Sequence, residues 1–551
     1  MRLAVGRFAG AGLGLVLLGG ILGPAGGASA AGDPFAGVGA QKVVWENCFG
    51  PIVPLPAQYK RLECATIKAP LDWRKPKGKK ITLAFTRLKA KSGKPKGVLF
   101  TNPGGPGGYG LELPLVFAAA GRERMLKNLD IIGIDVRGTG LSTQARCPGM
   151  SYARRDPRVA GNLDKILADA KKTAKACQKG AKKLPARYVT THQTVHDLEW
   201  IRRNLRDSSG KQVKKIDWLG FSGGTWLGAH YARYFPQHSR RFVLDSNVDF
   251  TSTWKKAADR QPKGFQDRFV KQFAPWAAKN DKTFGLGTTA SAVIARYEEI
   301  RTAIAEKGPI EVDTGGGWIE TLDGPTLDNT IASAMYVKYM FAYAADTLAY
   351  YAAQAFPSSA RTRPVRKPAA TDPYAGETPT YYDITCNDTR FSGTPKDLKA
   401  QAVAAGKKYP LIGYYLADNP CQHWKFPAKN PKLKRPAGVK GPRLLMIQSA
   451  LDPATPLDGA EAAHAKYRNS RLVVVKNEGD HGVYLGDNPC VNRIVESYLL
   501  DGTYPKAGTS CKGQPIPDMD GGDIIVAGGR APNPLAEAER ISGKIRPYLP
   551  F

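Results

Sequence analysis

The sequence predicts an α/β fold, built on a mostly parallel, doubly wound sheet with a mostly helical lid inserted late in the chain. Short apolar runs recur along it, as strands buried on both faces require. Helical stretches alternate with those runs, the pattern of parallel strands joined by crossover helices. Between about 249 and 440 the alternation stops and a long, largely helical stretch takes over.

Taken in order, residues 1–30 read as a targeting leader. Arg2 and Arg7 give a positive start, an apolar segment runs from Phe8 to about Leu22, and Ala28-Ser29-Ala30 offers a small-residue cleavage pattern. The mature chain is expected to begin near Ala31 and to be secreted. A transmembrane anchor is the competing reading, but the segment is short and Gly-rich, and no basic stop-transfer run follows it. Strands are expected at 62–67, 80–88, 97–101, 129–134, 216–219, 241–244, 444–448 and 471–475. A helix at 193–205 carries Asp197 near its start and Arg202 and Arg203 near its end, in keeping with the helix dipole. The α/β core therefore falls in 31–248 and 441–511, with the lid at 249–440. Within the lid, helical spacing covers 290–307 and 327–355, and a Pro- and Thr-rich loop runs from 356 to about 380. The aromatic stripe of 327–355 reads as core packing. Residues 512–551 form a polar, Pro/Gly-rich extension with one helix expected at 534–545.

The chain has 551 residues, 42% of them hydrophobic, which suits a folded protein with a large core. Its formal charge of +32 favours anionic surfaces or polymers. The lysines are scattered, as in Lys75, Lys77, Lys79, Lys80 and Lys171, Lys172, Lys175, and no helix-turn-helix, RNP or zinc-finger signature accompanies them. The expected partner is an anionic cell wall rather than nucleic acid, and the expected state is a monomer. Eight cysteines in an exported chain suggest disulfides, with on the order of a hundred pairings open. Pairing of sequence neighbours is favoured: Cys48 with Cys64, Cys147 with Cys177, Cys386 with Cys421, and Cys490 with Cys511. No C-x-x-C occurs, and Cys421-Gln422-His423 lacks companions at ligand spacing, so neither a metal nor a cofactor is expected.

The strongest chemical signal is Gly220-Phe221-Ser222-Gly223-Gly224. A G-x-S-x-G match is weak alone, but this one sits between an expected strand at 216–219 and an expected helix at 225–235. A nucleophile elbow needs that order, because its flanking glycines let the backbone hold a serine hydroxyl clear of the sheet. Such a serine needs a base and an orienting acid, which follow it in the order acid, then histidine. Asp452, after the strand at 444–448, and His481, after the strand at 471–475, supply that order. Asp245, after 241–244, competes with Asp452 for the acid's place. The run Asn102-Pro103-Gly104-Gly105-Pro106-Gly107-Gly108 follows the strand at 97–101. Gly104 and Gly105 are candidate oxyanion donors together with Gly223. Gly105, Gly107 and Gly110 also match a dinucleotide fingerprint, against which Pro103 and Pro106 count by removing backbone donors. Arg137, in Asp135-Val136-Arg137-Gly138-Thr139-Gly140-Leu141-Ser142, reads as a brace between loops.

These motifs, with Ile384-Thr385-Cys386-Asn387-Asp388, the run 451–456 and Gly479-Asp480-His481-Gly482, resemble the secreted tripeptidyl-aminopeptidase-like α/β-hydrolases of actinobacteria, related to prolyl aminopeptidases. The resemblance runs from about Trp45 to Cys511. It implies a helical lid between the sixth and seventh strands, a triad of Ser222, Asp452 and His481, and release of short peptides, typically tripeptides, from free amino termini. Two departures stand out: the tail beyond Cys511, and Asp480, where a small residue is expected. Amino-terminal specificity calls for a carboxylate facing the substrate ammonium, for which Asp388 and then Glu112 are the candidates. A carboxylesterase or lipase would use the same triad, and a cell-wall-binding protein with a vestigial triad is a more distant reading.

Overall fold

A computed structural model describes residues 33–49, 56–150, 155–313, 319–357, 378–391, 393–425, 432–438, 441–517, 519–520, 523–524, 534–546 and 549. The leader and most of the 356–380 loop lie outside the described residues. Through Lys512 the strands are β1 (Glu46–Asn47), β2 (Leu62–Pro70), β3 (Lys80–Leu88), β4 (Gly97–Asn102), β5 (Leu129–Asp135), β6 (Ile216–Phe221), β7 (Ser239–Asp245), β8 (Ile310–Asp313), β9 (Ile319–Leu322), β10 (Leu444–Ser449), β11 (Ser470–Lys476) and β12 (Ser510–Lys512).

Ten of them form one sheet in the order β1-β2-β3-β5-β4-β6-β7-β10-β11-β12. The edge strands β1, β2 and β3 run antiparallel, and every pairing from β5 to β12 is parallel. The apolar runs have a direct cause. Phe100, Ile132, Trp218, Leu244 and Met446 enter one core layer, while Leu99, Ile131, Leu219, Val243 and Ile447 enter the other. A strand covered on both faces cannot afford the polar alternation of a half-exposed one. The helices that cover it include Thr191–Asn204, capped by the Thr190 side chain, and Gly223–Tyr234.

Leaving out the two-residue β1, the chain departs from the sheet after its sixth strand, β7, and returns at its seventh, β10. Of the intervening helices Trp254–Arg268, Ala290–Lys307, Gly324–Ala334, Phe341–Ala355, Thr378–Asp388 and Pro395–Lys408, the first four contribute to a third apolar cluster, and the last two pack in the sheet's first layer and in smaller clusters. Polar caps at Thr253, Thr289, Asp323 and Thr394 fix where four of them start. A short antiparallel hairpin, β8 with β9, interrupts the helices and was not expected. The continuous helix expected at 327–355 is instead two helices, broken at 335–340. The reason is tertiary: the Tyr336 carbonyl accepts from His481 N (2.8 Å), and Lys338 N donates to Asp480 Oδ1 (2.8 Å). Those groups are unavailable to a helical ladder, and no glycine or proline marks the break in the sequence.

Disulfides join Cys48–Cys64, Cys147–Cys177, Cys386–Cys421 and Cys490–Cys511. Among the described residues no helix is long and apolar enough to cross a membrane. Near the C-terminus, helix Pro534–Ile545 packs on helix Leu113–Ala119, burying Ala538, Ile541 and Ile545 in the second core layer.

Candidate active site

Ser222 stands between the end of β6 and the helix that begins at Gly223, with φ 52° and ψ −123°. A non-glycine residue rarely adopts this backbone, and holding it costs about 1–3 kcal/mol, so the surroundings must impose it. They do so from two sides. Ser222 N donates to the Asp245 carbonyl (3.0 Å) on the neighbouring strand. On the other side Gly104, at φ 106°, lies so close that a Cβ there would meet Ser222 Cβ at 2.8 Å and Gly223 N at 2.8 Å. Only glycine meets both demands at 104. The Gly104 amide is itself committed to Asn102 Oδ1 (3.1 Å), so Gly104 contributes shape, not a free proton. That narrows the three expected donors to Gly105 and Gly223.

The carboxyl end of β10 delivers Asp452, and the loop after β11 delivers His481. Asp452 Oδ1 accepts from the amides of Ala454 (3.0 Å) and Thr455 (2.8 Å), which fixes the carboxylate in its turn. His481 Nδ1 lies 2.9 Å from Asp452 Oδ1 and 3.0 Å from Oδ2, with both residues buried. An ionised carboxylate only accepts, so Nδ1 carries the proton and Nε2 is left as the basic atom. The ring is held further by the Tyr336 carbonyl on its backbone N–H and by the Tyr336 ring, edge-on at 5.3 Å.

Asp245, the rival acid, does not meet the imidazole nitrogen. Its Oδ2 accepts from Val483 N (3.0 Å) and Tyr484 N (2.7 Å), while Ser246 Oγ accepts from Gly482 N (2.8 Å). Burial pushes the Asp245 carboxyl up to about 6. Its role is architectural: the 245–246 corner ties the Ser222 amide on one side to the histidine loop on the other.

Ser222, Gly105 and Thr455 line a narrow cleft, and the Thr455 hydroxyl stands 3.5 Å from His481 Nδ1. The cleft shares Trp254, Ala258, Gln261 and Tyr381 with a larger cavity of about 440 Å³. Residues 97–286 match the α/β-hydrolase fold model, and residues 409–511 match the TAP-like protein model. A tripeptidyl aminopeptidase of Streptomyces lividans is 31% identical over 487 residues, covering 85% of this chain and 86% of that protein. The chain belongs to the tripeptidyl-aminopeptidase-like family of α/β-hydrolases. It is therefore a serine hydrolase. Among this enzyme's other relatives, the serine protease Hip1 of Mycobacterium tuberculosis is 26% identical, covering 86% of this chain and 91% of its own. A protein named carboxylesterase B from the same species is 27% identical, covering 87% and 91%.

In this family member the two acids proposed for the substrate ammonium are placed elsewhere. Glu112 is buried against Arg546, and neither it nor Asp388 lines the cleft or the cavity. Asp388 accepts from Thr191 N (3.0 Å) at the start of helix Thr191–Asn204. Burial pushes the carboxyl up to about 7, against the hydrogen bonds from Thr191 and Trp254. A raised acid pKa means the folded state holds the proton more tightly than the unfolded one. Stability from this group is therefore complete below its ordinary value of 3.8 and is lost as pH rises through about 7. Asp388→Asn, which mimics the protonated form, is expected to raise the thermal midpoint at pH 8 and leave it unchanged near pH 4. Equal shifts at both pH values would refute this account. Arg137 is fully buried, joins Asp197 through two contacts of 2.6 Å, and donates to the carbonyls of Pro70, Leu71 and Tyr188, as its reading as a brace requires.

Sequence reasoning missed a charged cluster behind His481. Asp480 Oδ1 accepts from Arg268 Nη2 (2.5 Å), and the Lys338 ammonium meets Glu478 at 2.7 and 2.8 Å. All four side chains are buried. The one visible signal was Asp480 itself, an acid where a small residue was expected.

Proposed function

We propose that this hydrolase is an exported serine peptidase that releases short peptides, tripeptides foremost, from free amino termini through an acyl-enzyme on Ser222. The observation that carries the reading is the Asp452–His481 pair, whose neighbour Thr455 shares a cleft with Ser222, next to a walled cavity. His481 Nε2 takes the hydroxyl proton as Oγ attacks the scissile carbonyl. The oxyanion accepts from the Gly105 and Gly223 amides, and the helix beginning at Gly223 adds its positive end. The imidazolium then protonates the leaving amine as the C–N bond breaks. Water repeats the sequence on the ester, freeing the peptide acid and restoring the serine. Asp452 holds the ring and stabilises the imidazolium throughout.

The residues of 249–440 supply Pro262, Phe265, Tyr336, Tyr381 and Tyr415 to the cavity wall, which supports the role of that insertion as a lid. At about 440 Å³ the space suits a short peptide rather than a folded chain. Asp169 and Asp418 line it; Asp169 is held by Arg155 (2.8 Å) and Lys172 (3.1 Å), and Asp418 is our candidate for the ammonium in place of Asp388 and Glu112. Four disulfides fit an oxidising compartment. One experiment addresses export and nucleophile together. Fluorophosphonate treatment of culture supernatant should label a chain that begins near Ala31 and carries the adduct on Ser222. An unblocked tripeptide anilide should be cleaved well ahead of its amino-blocked form and of a short-chain ester. Preference for the ester would support the carboxylesterase reading that one relative's name suggests. Absence of an adduct on Ser222 would sink the mechanism.

A further inference from the structure

The tail beyond 511 lies outside the TAP-like match, yet its last helix reaches the loop that shapes the oxyanion site. Arg546 Nη1 donates to Asp135 Oδ2 (3.0 Å), and Nη2 donates to Asp135 Oδ1 (3.1 Å) and Glu112 Oε2 (3.0 Å). Its Nε also pairs with Glu112 and donates to Ser542 Oγ (2.9 Å). The guanidinium lies over the Tyr109 ring, 4.0 Å from its centroid. These partners border one segment. Tyr109 and Gly110 close the glycine loop that begins after β4, and Gly110 N donates to Asp135 Oδ1 (2.8 Å). Glu112 begins the helix that follows, and within the loop Gly108 N donates to the Gly104 carbonyl (2.9 Å). Gly104 and Gly105 are the residues packed on Ser222 and Gly223.

We propose that helix Pro534–Ile545 with Arg546 is a latch on this loop, and that Arg546 is a positioning residue for the oxyanion site. The role rests on the acyl-enzyme reading above. Asp135 and Glu112 are buried carboxylates that repel each other, and a guanidinium with planar, forked donors satisfies both at once. Burial pushes the Glu112 carboxyl up, and Arg546 opposes that shift. With Arg546 in place the exit of the loop is fixed from below by charge and from the side by the stack on Tyr109. Ala538, Ile541 and Ile545 anchor the helix that carries it. Without it, the loop loses its forked donor beside Gly110, and the repulsion is relieved by movement of the loop or by protonation of Glu112. Such movement carries the Gly105 amide away from where the oxyanion forms. Arg546 lines neither the cleft nor the cavity, so its loss is expected to act on the chemical step and not on peptide binding.

The test compares wild type with Arg546→Lys, Arg546→Met and the double variant Glu112→Gln/Arg546→Met. Each is measured for kcat and KM on an unblocked tripeptide anilide, for the rate of fluorophosphonate labelling of Ser222, and for fold by near-ultraviolet circular dichroism. Arg546→Met is expected to lower kcat and the labelling rate by about 10- to 100-fold with KM within about threefold of wild type. Arg546→Lys, which keeps the charge but not the fork, should fall between. The double variant, relieved of the repulsion, should recover to within about threefold of wild type. A folded Arg546→Met enzyme with wild-type kcat would overturn the proposal, as would a double variant no faster than the single one. If Arg546→Met does not fold, the other two variants decide: a lowered thermal midpoint with unchanged kcat in both makes the latch merely structural. Failure of the wild-type enzyme to label at Ser222 would instead end the acyl-enzyme reading and the latch with it.

Discussion

Ser222→Ala is expected to lower turnover of an unblocked tripeptide anilide by about 10⁴- to 10⁶-fold, and Asp452→Asn by about 10⁴-fold, with the fold intact. The two losses have different origins. Alanine removes the attacking oxygen, so what remains is water attack assisted by the Gly105 and Gly223 amides. Asparagine keeps the shape beside His481 Nδ1 but can turn its NH₂ toward the ring. The imidazole then takes the other tautomer, with its proton on Nε2, where it cannot accept from Ser222. Ser222→Ala/Asp452→Asn should therefore be little slower than Ser222→Ala alone, because the acid acts only through the serine. Steady-state rates on the three purified variants, with circular dichroism as the control, check this. Independent, multiplicative losses would mean that Asp452 does not serve Ser222.

The residues with chemistry at strand ends were legible because each follows a run of apolar residues that only a doubly covered strand explains. Ser222 had the clearest mark, since an elbow needs glycines on both sides. Asp452 and His481 were placed by chain order and by strands at 444–448 and 471–475, now seen as β10 and β11. What stayed hidden depends on contacts distant in sequence. The break in the 327–355 stretch has no local breaker, because its cause is the backbone of the histidine loop meeting Tyr336 and Lys338. Asp388 and Glu112 were proposed for a substrate ammonium from residue type and motif alone. Their carboxylates turn out to be occupied, one at a helix start and one by an arginine 434 residues away. A periodic pattern says which face of an element is buried, and nothing about which distant cation will meet a buried acid. Gly104 and Gly105 were grouped as donors for the same reason: the hydrogen bond from Gly104 to Asn102 is a property of the folded turn.

The cluster behind His481 gives the second large effect. Arg268→Met is expected to destabilise the enzyme by about 3–5 kcal/mol, because it strands a buried carboxylate. Arg268 is fully buried, and its one charged partner among the described residues is Asp480, whose other cation, Lys338, is 4.0 Å away and already engaged by Glu478 at 2.7 Å. The guanidinium also lies 5.4 Å over the Phe341 ring and close enough to Gly479 that a Cβ there would meet Nη1 at 2.7 Å. Arg268 and Lys338 belong to the 249–440 insertion, whereas Glu478 and Asp480 belong to the histidine loop. The cluster therefore ties the insertion to the loop that carries His481. Removing the arginine should lower kcat as well as stability, since Asp480 precedes His481 and also accepts from Lys338 N. Arg268→Met/Asp480→Asn is the sharper test. If the single change is costly because of a stranded charge, removing that charge should restore most of the stability, so the two losses will not add. Denaturant midpoints for the single and double variants measure this directly. Additive losses would reduce Arg268 and Asp480 to two unrelated packing contacts, and the coupling of the insertion to His481 would then rest on Tyr336 and Lys338.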